Sequence, residues 1–461
     1  MPELPEVETV IRTLEKLIKD QKITKVEVLY NNIIHTPKVN EFKQQISNQS
    51  FRKFKRRVKY LIFELDDYNL VVHLRMEGKF YYQKELILDK HSHIIFHLDT
   101  GYLVYHDIRK FGRMYLYSND KNIDCLNGLG YEVTDKEMSV EYLYAKALKS
   151  NFNLKQFLLD QTIILGIGNI YANEICFLMK KHPLTMVKTL SKNELADLIS
   201  ISDQVLKKAI SMGGTTIKSY TSSLGVSGRF QQELYVHGRQ YQNCKLCNTR
   251  IIKRKINGRG SYICPCCQPY YYHRVALTGM MAAGKSTVIK YFNDLGFKTI
   301  DCDQVVDELL KKEKVLKQVG ELLSITFTQN HQENKKQISA IIFSDQILRK
   351  QYEQLIYPLV LKELAKVEQG IFEVQRLFEA KFADYFDLTI AVVADELIIE
   401  RNLASREMLS FTSARAKLQQ NSNYYLKKAD LIINNNGNKK QLLKKVKELG
   451  IIIKGEKICL K

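Results

Sequence analysis

Apolar positions Val7, Val10, Ile11, Leu14, Leu17 and Ile18 recur every three or four residues over 3–19. Pro5 stands early in that run, where a helix accepts it, so the spacing predicts an opening helix. From about 23 to 117 the pattern shortens to β-branched and aromatic runs, among them Tyr60–Phe63, Leu70–Val72, His93–Phe96 and Tyr102–Tyr105. Asp66-Asp67-Tyr68-Asn69 and Asp99-Thr100-Gly101 separate neighbouring runs as hairpin loops do. An antiparallel sandwich or barrel is the natural reading. Helical spacing returns over 139–211. Arg250–Ile256 and Ser261–Ile263 then flank Asn257-Gly258, a strong tight-hairpin signal. From Val275 an apolar strand, a Gly-rich turn, a helix and the strand Lys298-Thr299-Ile300 set the βαβ rhythm of a parallel sheet.

Length and charge add a partner to this outline. A chain of 461 residues has room for about three compact units. Its formal net charge of +20 attracts polyanions, of which nucleic acid is the commonest. The excess is concentrated: residues 204–272 hold eleven Lys and Arg but a single carboxylate, Glu233. No stretch approaches the roughly 20 apolar residues that span a bilayer. The acids and prolines of Met1–Glu8 do not suit a signal peptide. The expectation is a cytoplasmic protein without a membrane partner, whose nine cysteines are reduced and, where clustered, bind metal.

Cys244-x2-Cys247 and Cys264-x2-Cys267 have the spacing of a four-thiolate structural zinc site, and the hairpin lies between the pairs. Cys266 is an extra thiol in the second knuckle, but the CxxC register favours Cys267. The tip of this ribbon is Asn257-Gly258-Arg259-Gly260. At the other end of the chain, removal of Met1 would expose Pro2 as a secondary amine. An α-amino group titrates near about pH 8, so part of it is nucleophilic at neutrality and able to attack a sugar C1′. Glu3 and Glu6 stand close by as possible proton donors. Taken alone, the segment reads more readily as an ordinary helix start.

Met1-Pro2-Glu3-Leu4-Pro5-Glu6-Val7-Glu8-Thr9 resembles the start of formamidopyrimidine-DNA glycosylases. Leu4, where the endonuclease VIII branch has Gly, favours the oxidised-purine branch. The resemblance covers residues 1–268. It continues through Arg56–Leu61, His73–Gly78, Asp107–Arg113, Asp160–Thr162, Gly166–Tyr171 and Phe230–Arg239, and ends in the zinc hairpin. It implies Pro2 as Schiff-base nucleophile, Glu3 as the acid that opens the deoxyribose ring, and Lys59 as a phosphate contact assisting β,δ-elimination. Met76, Arg109 and Phe111 would fill the gap left by a flipped-out nucleotide, since C1′ is out of reach in an intact duplex. Asn169, Arg259, His93 and, more weakly, Lys155 complete the implied DNA contacts. The Gly213–Gly228 segment, with Thr215, Thr216, Lys218 and Tyr220, resembles a loop that closes over the lesion. Phosphate contacts of this kind make binding sensitive to salt.

Gly279-Met280-Met281-Ala282-Ala283-Gly284-Lys285-Ser286-Thr287 satisfies GxxxxGK[ST] directly after the strand Val275-Ala276-Leu277. Its amides would cradle phosphates, Lys285 neutralise them and Ser286 reach Mg²⁺. With Ile300-Asp301-Cys302-Asp303 and Ala429–Gly437, residues from 274 to roughly 450 resemble dephospho-coenzyme A kinases. By that resemblance Gly279, Gly284, Lys285, Ser286 and Thr287 bind ATP, Asp303 is the general base, and Arg401 or Arg406 comes from a lid. The departures are Met280 and Ala282 in place of glycine, Tyr357-Pro358 for His-Pro, Gln375-Arg376-Leu377-Phe378-Glu379 for Pro-Leu-Leu-Phe-Glu, and lid arginines five apart.

The expected architecture is therefore multidomain: an N-terminal β-sandwich with a leading helix over 1–134, a helix–two-turns–helix domain over 135–268 carrying the zinc ribbon (about 239–268), and an α/β parallel-sheet P-loop kinase domain over 274–461. The expected activity is a bifunctional glycosylase and abasic-site lyase on oxidised purines, fused to an ATP-dependent dephospho-coenzyme A kinase. Expected cofactors are one Zn²⁺, ATP and Mg²⁺. Expected partners are double-stranded damaged DNA, ATP and dephospho-coenzyme A, with the chain a monomer. Two rivals remain open: a P-loop domain that only binds nucleotide, and a non-catalytic zinc-ribbon DNA-binding protein.

Overall fold

The opening helix forms over Leu4–Ile18 in the computed structural model. Glu3 N–H donates to Glu6 Oε2 (2.9 Å), which satisfies a donor that the first turn leaves without a helical partner. Val7, Val10, Ile11, Leu14 and Ile18 are buried along one face, each large aliphatic worth about 1.5–3 kcal/mol relative to exposure. The structure describes residues 2–215, 228–407 and 422–456, the side chains of 405–407 excepted. Thr216, Lys218, Tyr220 and the Arg406 side chain therefore lie outside the described residues.

By contacts the chain divides into two units, Met1–Arg239 with Lys253–Ile263, and Gln240–Ile252 with Cys264–Lys461. In the first, an antiparallel four-stranded sheet runs Ile23–Val28, Ser92–Leu98, Gly101–His106, Lys79–Gln83. A five-stranded sheet runs Ile34–Thr36, Arg113–Ser118, Tyr68–His73, Tyr60–Glu64, Lys53–Arg57, with only the short first strand parallel to its neighbour. Both predicted hairpins form. The strand period of two sorts the side chains by face: Leu61, Phe63, Leu70 and Val72 join Ile94, Phe96 and the helix's Leu14 in the main core, whereas Ile62, Val71 and Tyr115 form a small outer cluster.

Four helices follow, Val140–Leu148, Leu154–Leu159, Asn169–Leu178 and Lys192–Ser211. Asn153 and Ser191 cap the second and fourth through reciprocal hydrogen bonds with Gln156 and Glu194. The hairpin pairs Ile252–Ile256 with Arg259–Ile263. Asn257 and Gly258 take φ of +49° and +75°, the left-handed pair that a tight type I′ turn requires.

The second unit is a wholly parallel sheet in the order Thr299–Asp301, Gly370–Glu373, Arg274–Gly279, Leu388–Val393, Leu431–Asn434. Leu388–Val393 is buried throughout, as expected where helices cover both faces. The Arg274–Gly279 strand has later strands on both sides, so the chain reverses direction across the sheet there. A crevice opens at the carboxyl ends of the strands beside such a point. The residues before the hairpin also belong to this unit: the Arg250 guanidinium lies 4.4 Å from the Tyr241 ring centroid and donates to Leu426 O.

Candidate functional site

The Glu3 carboxylate reaches the N-terminus of the Asn169–Leu178 helix, where Oε2 accepts from Gly168 N–H (2.8 Å) and Oε1 from Ile170 N–H (3.0 Å). A Cβ at Gly168 would fall 2.2 Å from Glu3 Cδ, so the approach requires glycine. Burial raises the Glu3 pKa to about 7, against the opposing pull of Lys59 and the helix amides. Lys59 is buried as well, and its Nζ donates to Ile167 O (3.3 Å). Burial pushes that ammonium below its usual range, with the Glu3 charge opposing. Pro2 is buried and directly precedes Glu3. The result is an acid that is part-protonated near neutrality, adjacent in sequence to Pro2 and electrostatically coupled to a lysine.

Three carboxylates hold this arrangement. Glu132 accepts from both Arg56 Nη atoms (2.8 Å each) and from Val58 N–H (2.7 Å), fixing the turn before Lys59, where Val58 takes φ +60°. Arg56 also donates to Glu8 (2.7 Å). Glu6, the other possible proton donor, accepts hydrogen bonds from four donors. It receives Glu3 N–H (2.9 Å), Tyr171 Oη–H (2.7 Å), and Thr215 N–H and Oγ–H (2.8 and 2.9 Å).

Arg109 and Phe111 project from an exposed loop, the guanidinium carbon 4.7 Å from the ring centroid. Asp107, fully buried, clasps the base of this loop by accepting from Arg109 N–H (2.9 Å) and Gly112 N–H (2.8 Å). Met76 is half-buried, next to Arg75, which takes φ +53° and donates its N–H to His73 Nδ1 (2.9 Å). Two further residues of the implied DNA contacts, His93 and Lys155, are buried. His93 Nε2 meets Asp107 O (2.8 Å), behind the loop. Lys155 donates to Gly260 O (2.9 Å) and Ser261 Oγ (2.6 Å), and burial lowers its pKa to about 8. These two bonds tie the ammonium to the backbone and hydroxyl just after the hairpin turn. Asn169 donates to the same Gly260 carbonyl (3.2 Å). Arg259 is exposed at the tip, and a basic cleft beside it is lined by Asn169, His237, Lys253, Arg254, Lys255 and Tyr262.

The sulfurs of Cys244, Cys247, Cys264 and Cys267 all lie within 4.8 Å of one another, and Cys266 is not among them. A tetrahedral ion with metal–sulfur bonds of about 2.3 Å needs sulfurs about 3.8 Å apart. Cys244 and Cys267, at 3.9 Å, match that spacing. Leu246 and Cys267 N–H groups point at thiol sulfurs (3.4 Å each), as they do in knuckles that hold thiolates.

In the second unit the phosphate loop joins the Arg274–Gly279 strand to the Lys285–Asp294 helix. Gly279 takes φ +142° with Val392 O 2.1 Å from where a Cβ would be. Ala282, where glycine is usual, adopts φ +58°, a conformation costing roughly 1 kcal/mol for an L-residue. Met280 is buried. Lys285 Nζ donates to the carbonyls of Gly279 (3.2 Å) and Met280 (3.0 Å). Asn402 and Asn435, which the motif did not reveal, donate to Ala282 O (2.9 Å) and Ala283 O (2.8 Å). Asp301 is occupied as the cap of the Cys302–Leu310 helix, accepting from Asp303 N–H (2.9 Å). Burial raises the Asp303 pKa, with Asp301 and Asp307 adding to it. Arg401 is exposed on the Glu396–Glu407 helix.

Residues 1–114 match the formamidopyrimidine-DNA glycosylase N-terminal domain and 129–221 its H2TH domain. Formamidopyrimidine-DNA glycosylases of Oceanobacillus iheyensis and Cytobacillus firmus are 41% and 43% identical over 58% of this chain and 98% and 100% of their own length. The chain belongs to the formamidopyrimidine-DNA glycosylase family. Among solved structures, Lactococcus lactis Fpg in complex with an abasic site containing DNA covers 58% of this chain and 99% of its own at 38% identity, with a TM-score of 0.55. A Lactococcus lactis Fpg variant with Fapy-dG containing DNA gives 0.56 at the same identity and coverage. Residues 273–441 match the dephospho-CoA kinase family and form a kinase domain behind the glycosylase. Among the described residues no helix is long and apolar enough to cross a membrane.

The four-cysteine cluster is the structural zinc site of this glycosylase, and it brackets the hairpin that carries Arg259. Loss of the metal therefore frees the hairpin base. Stripping zinc with a chelator, or Cys264→Ser, is expected to weaken binding to an abasic-analogue duplex by about tenfold or more. Fluorescence anisotropy at fixed salt measures it, and unchanged affinity would contradict a role for the metal in presenting the tip.

Proposed function

We propose that the first unit excises oxidised purines from duplex DNA and cleaves the resulting abasic site through a Schiff base on Pro2. The observation that carries this reading is the buried Glu3 carboxyl, with a pKa of about 7, directly after Pro2 and coupled to Lys59. With Met1 removed, the Pro2 nitrogen attacks C1′ and the base departs. Glu3 supplies a proton to the ring oxygen, so that the sugar opens as an iminium. Loss of a C2′ proton then expels the 3′ phosphate, and a second elimination expels the 5′ phosphate. Lys59 stabilises the phosphate charge during these steps. Arg109, Phe111 and Met76 fill the vacated stack, while Arg259 and Asn169 grip the flanking backbone. The related solved structures, whose DNA carries abasic sites and Fapy-dG, support the substrate class.

We also infer that the second unit transfers the γ-phosphoryl group of ATP to the ribose 3′-hydroxyl of dephospho-coenzyme A. Lys285, Ser286 and the loop amides would hold the phosphates and Mg²⁺, with Asp303 as general base and Arg401 reaching from the neighbouring helix. Bound Mg²⁺ supplies charge neutralisation at the phosphates.

Borohydride reduction tests the first reading. The chain is expected to form a trapped adduct with a duplex containing 8-oxoguanine or an abasic site. Blocking the amine by retaining Met1, as in a Pro2→Glu variant, should abolish the adduct. Adduct formation unaffected by the blocked amine would overturn Pro2 as nucleophile.

A further inference from the structure

We propose that Gln375 is a positioning residue of the kinase site that holds the Asp303 carboxylate in one orientation. The inference rests on the phosphoryl-transfer reading above and names a residue for which the resemblance gives no role, because related kinases carry proline there.

Gln375 follows the Gly370–Glu373 strand, and its backbone is fixed on both sides. Val374 N–H donates to Leu277 O (2.9 Å), and Gln375 O accepts from the buried Thr278 hydroxyl (3.2 Å). From this frame the Gln375 amide donates from Nε2 to Asp303 Oδ2 at 2.7 Å. An ionised carboxylate only accepts, so the NH₂ end of the amide is the one that must face it. A proline offers no such donor.

The surroundings make a donor useful. Asp303 is faced by Asp301 and Asp307 from its own turn and helix, by Lys335 from the His331–Ser344 helix, by Lys285 from the phosphate-loop helix and by Glu373 from the adjacent strand. Lys335 is itself paired with Asp307, and Lys285 leans on the loop carbonyls. Partial desolvation in the crevice and the acidic neighbours favour the protonated carboxyl, which cannot act as a base. A hydrogen bond to the charged form opposes them. It also removes the free rotation of a carboxylate that must accept a proton from one direction.

Gln375→Leu and Gln375→Glu in the full chain separate this role from plain packing. Asp303 titration is followed by carboxyl-carbon NMR of aspartate-labelled protein, its signal assigned with Asp303→Asn. Both variants should raise the Asp303 pKa relative to the parent chain, Glu more than Leu. Nucleotide binding and thermal midpoint serve as controls for folding. In turnover, kcat/KM for the acceptor should fall about 3- to 10-fold at the acid end of the pH profile and recover to within about twofold at its alkaline end. Gln375→Asn, a shorter donor, should lie between. An Asp303 titration unmoved in both variants would overturn the proposal whatever the turnover. A raised titration in a chain that never phosphorylates dephospho-coenzyme A would uphold the Gln375 contact and reject the kinase reading instead.

Discussion

Glu3→Gln is expected to lower excision of 8-oxoguanine by about 10²- to 10⁴-fold, the range typical of losing a general acid. Cleavage of a duplex that already contains an abasic site should stay within about tenfold, because its sugar opens without help and needs only the amine. The split follows from where the proton sits. Glu3 has a pKa of about 7 because burial outweighs Lys59 and the helix amides. Excision by the parent chain should therefore decline as pH rises through about 7, as the acid ionises. The Gln variant should show no such limb. The same shift has a stability consequence. The folded-state pKa lies above the ordinary carboxyl value of 4.5, so the protonated form favours folding; that contribution is complete below about 4.5 and is lost as pH rises through about 7. Single-turnover excision and abasic cleavage, measured across that range, check both arms. Equal loss in the two assays would mean that Glu3 serves the frame and not the departure of the base.

How far such sites are legible in the sequence depends on how local their physics is. The Leu4–Ile18 helix, both strand hairpins, the Asn257-Gly258 turn and the zinc cysteines rest on spacing within a few residues or on one repeated signal, and the structure forms them where the pattern placed them. The clamps around the site are different. Glu132 meets Arg56 across 76 positions, and Glu6 meets Thr215 across 209. Nothing near either acid distinguishes it from a solvated surface charge; only the folded chain shows that its oxygens are saturated. Lys155 and His93 are pointed to by the resemblance and by no local pattern, and the fold buries both, each with a nitrogen on a backbone carbonyl. In the phosphate loop, Ala282 reads as a departure, but the backbone still takes the left-handed turn there. Asn402 and Asn435 support that loop through side-chain amides, which a motif written in glycines does not anticipate.

Lys285→Ala should reduce phosphorylation of dephospho-coenzyme A by about 10²-fold or more while base excision, measured in the same preparation, reports an intact chain. The Lys285 ammonium rests on the carbonyls of Gly279 and Met280, at the lip of the loop. Phosphate oxygens compete for it at short range, in a crevice where Asp301, Asp303 and Glu373 otherwise make the field negative. Removing the cation leaves those carboxylates facing the incoming phosphates without compensation, so both nucleotide affinity and the transfer step should suffer. The parent chain decides between the two readings of this domain. Product formation that disappears in Lys285→Ala establishes a kinase whose altered strand end, Gln375-Arg376, is compatible with transfer. Nucleotide binding that is lost in the variant, with no product from the parent at any acceptor concentration, means that the loop holds nucleotide without transferring its phosphoryl group. The domain would then act on the glycosylase chain only as a nucleotide-binding module.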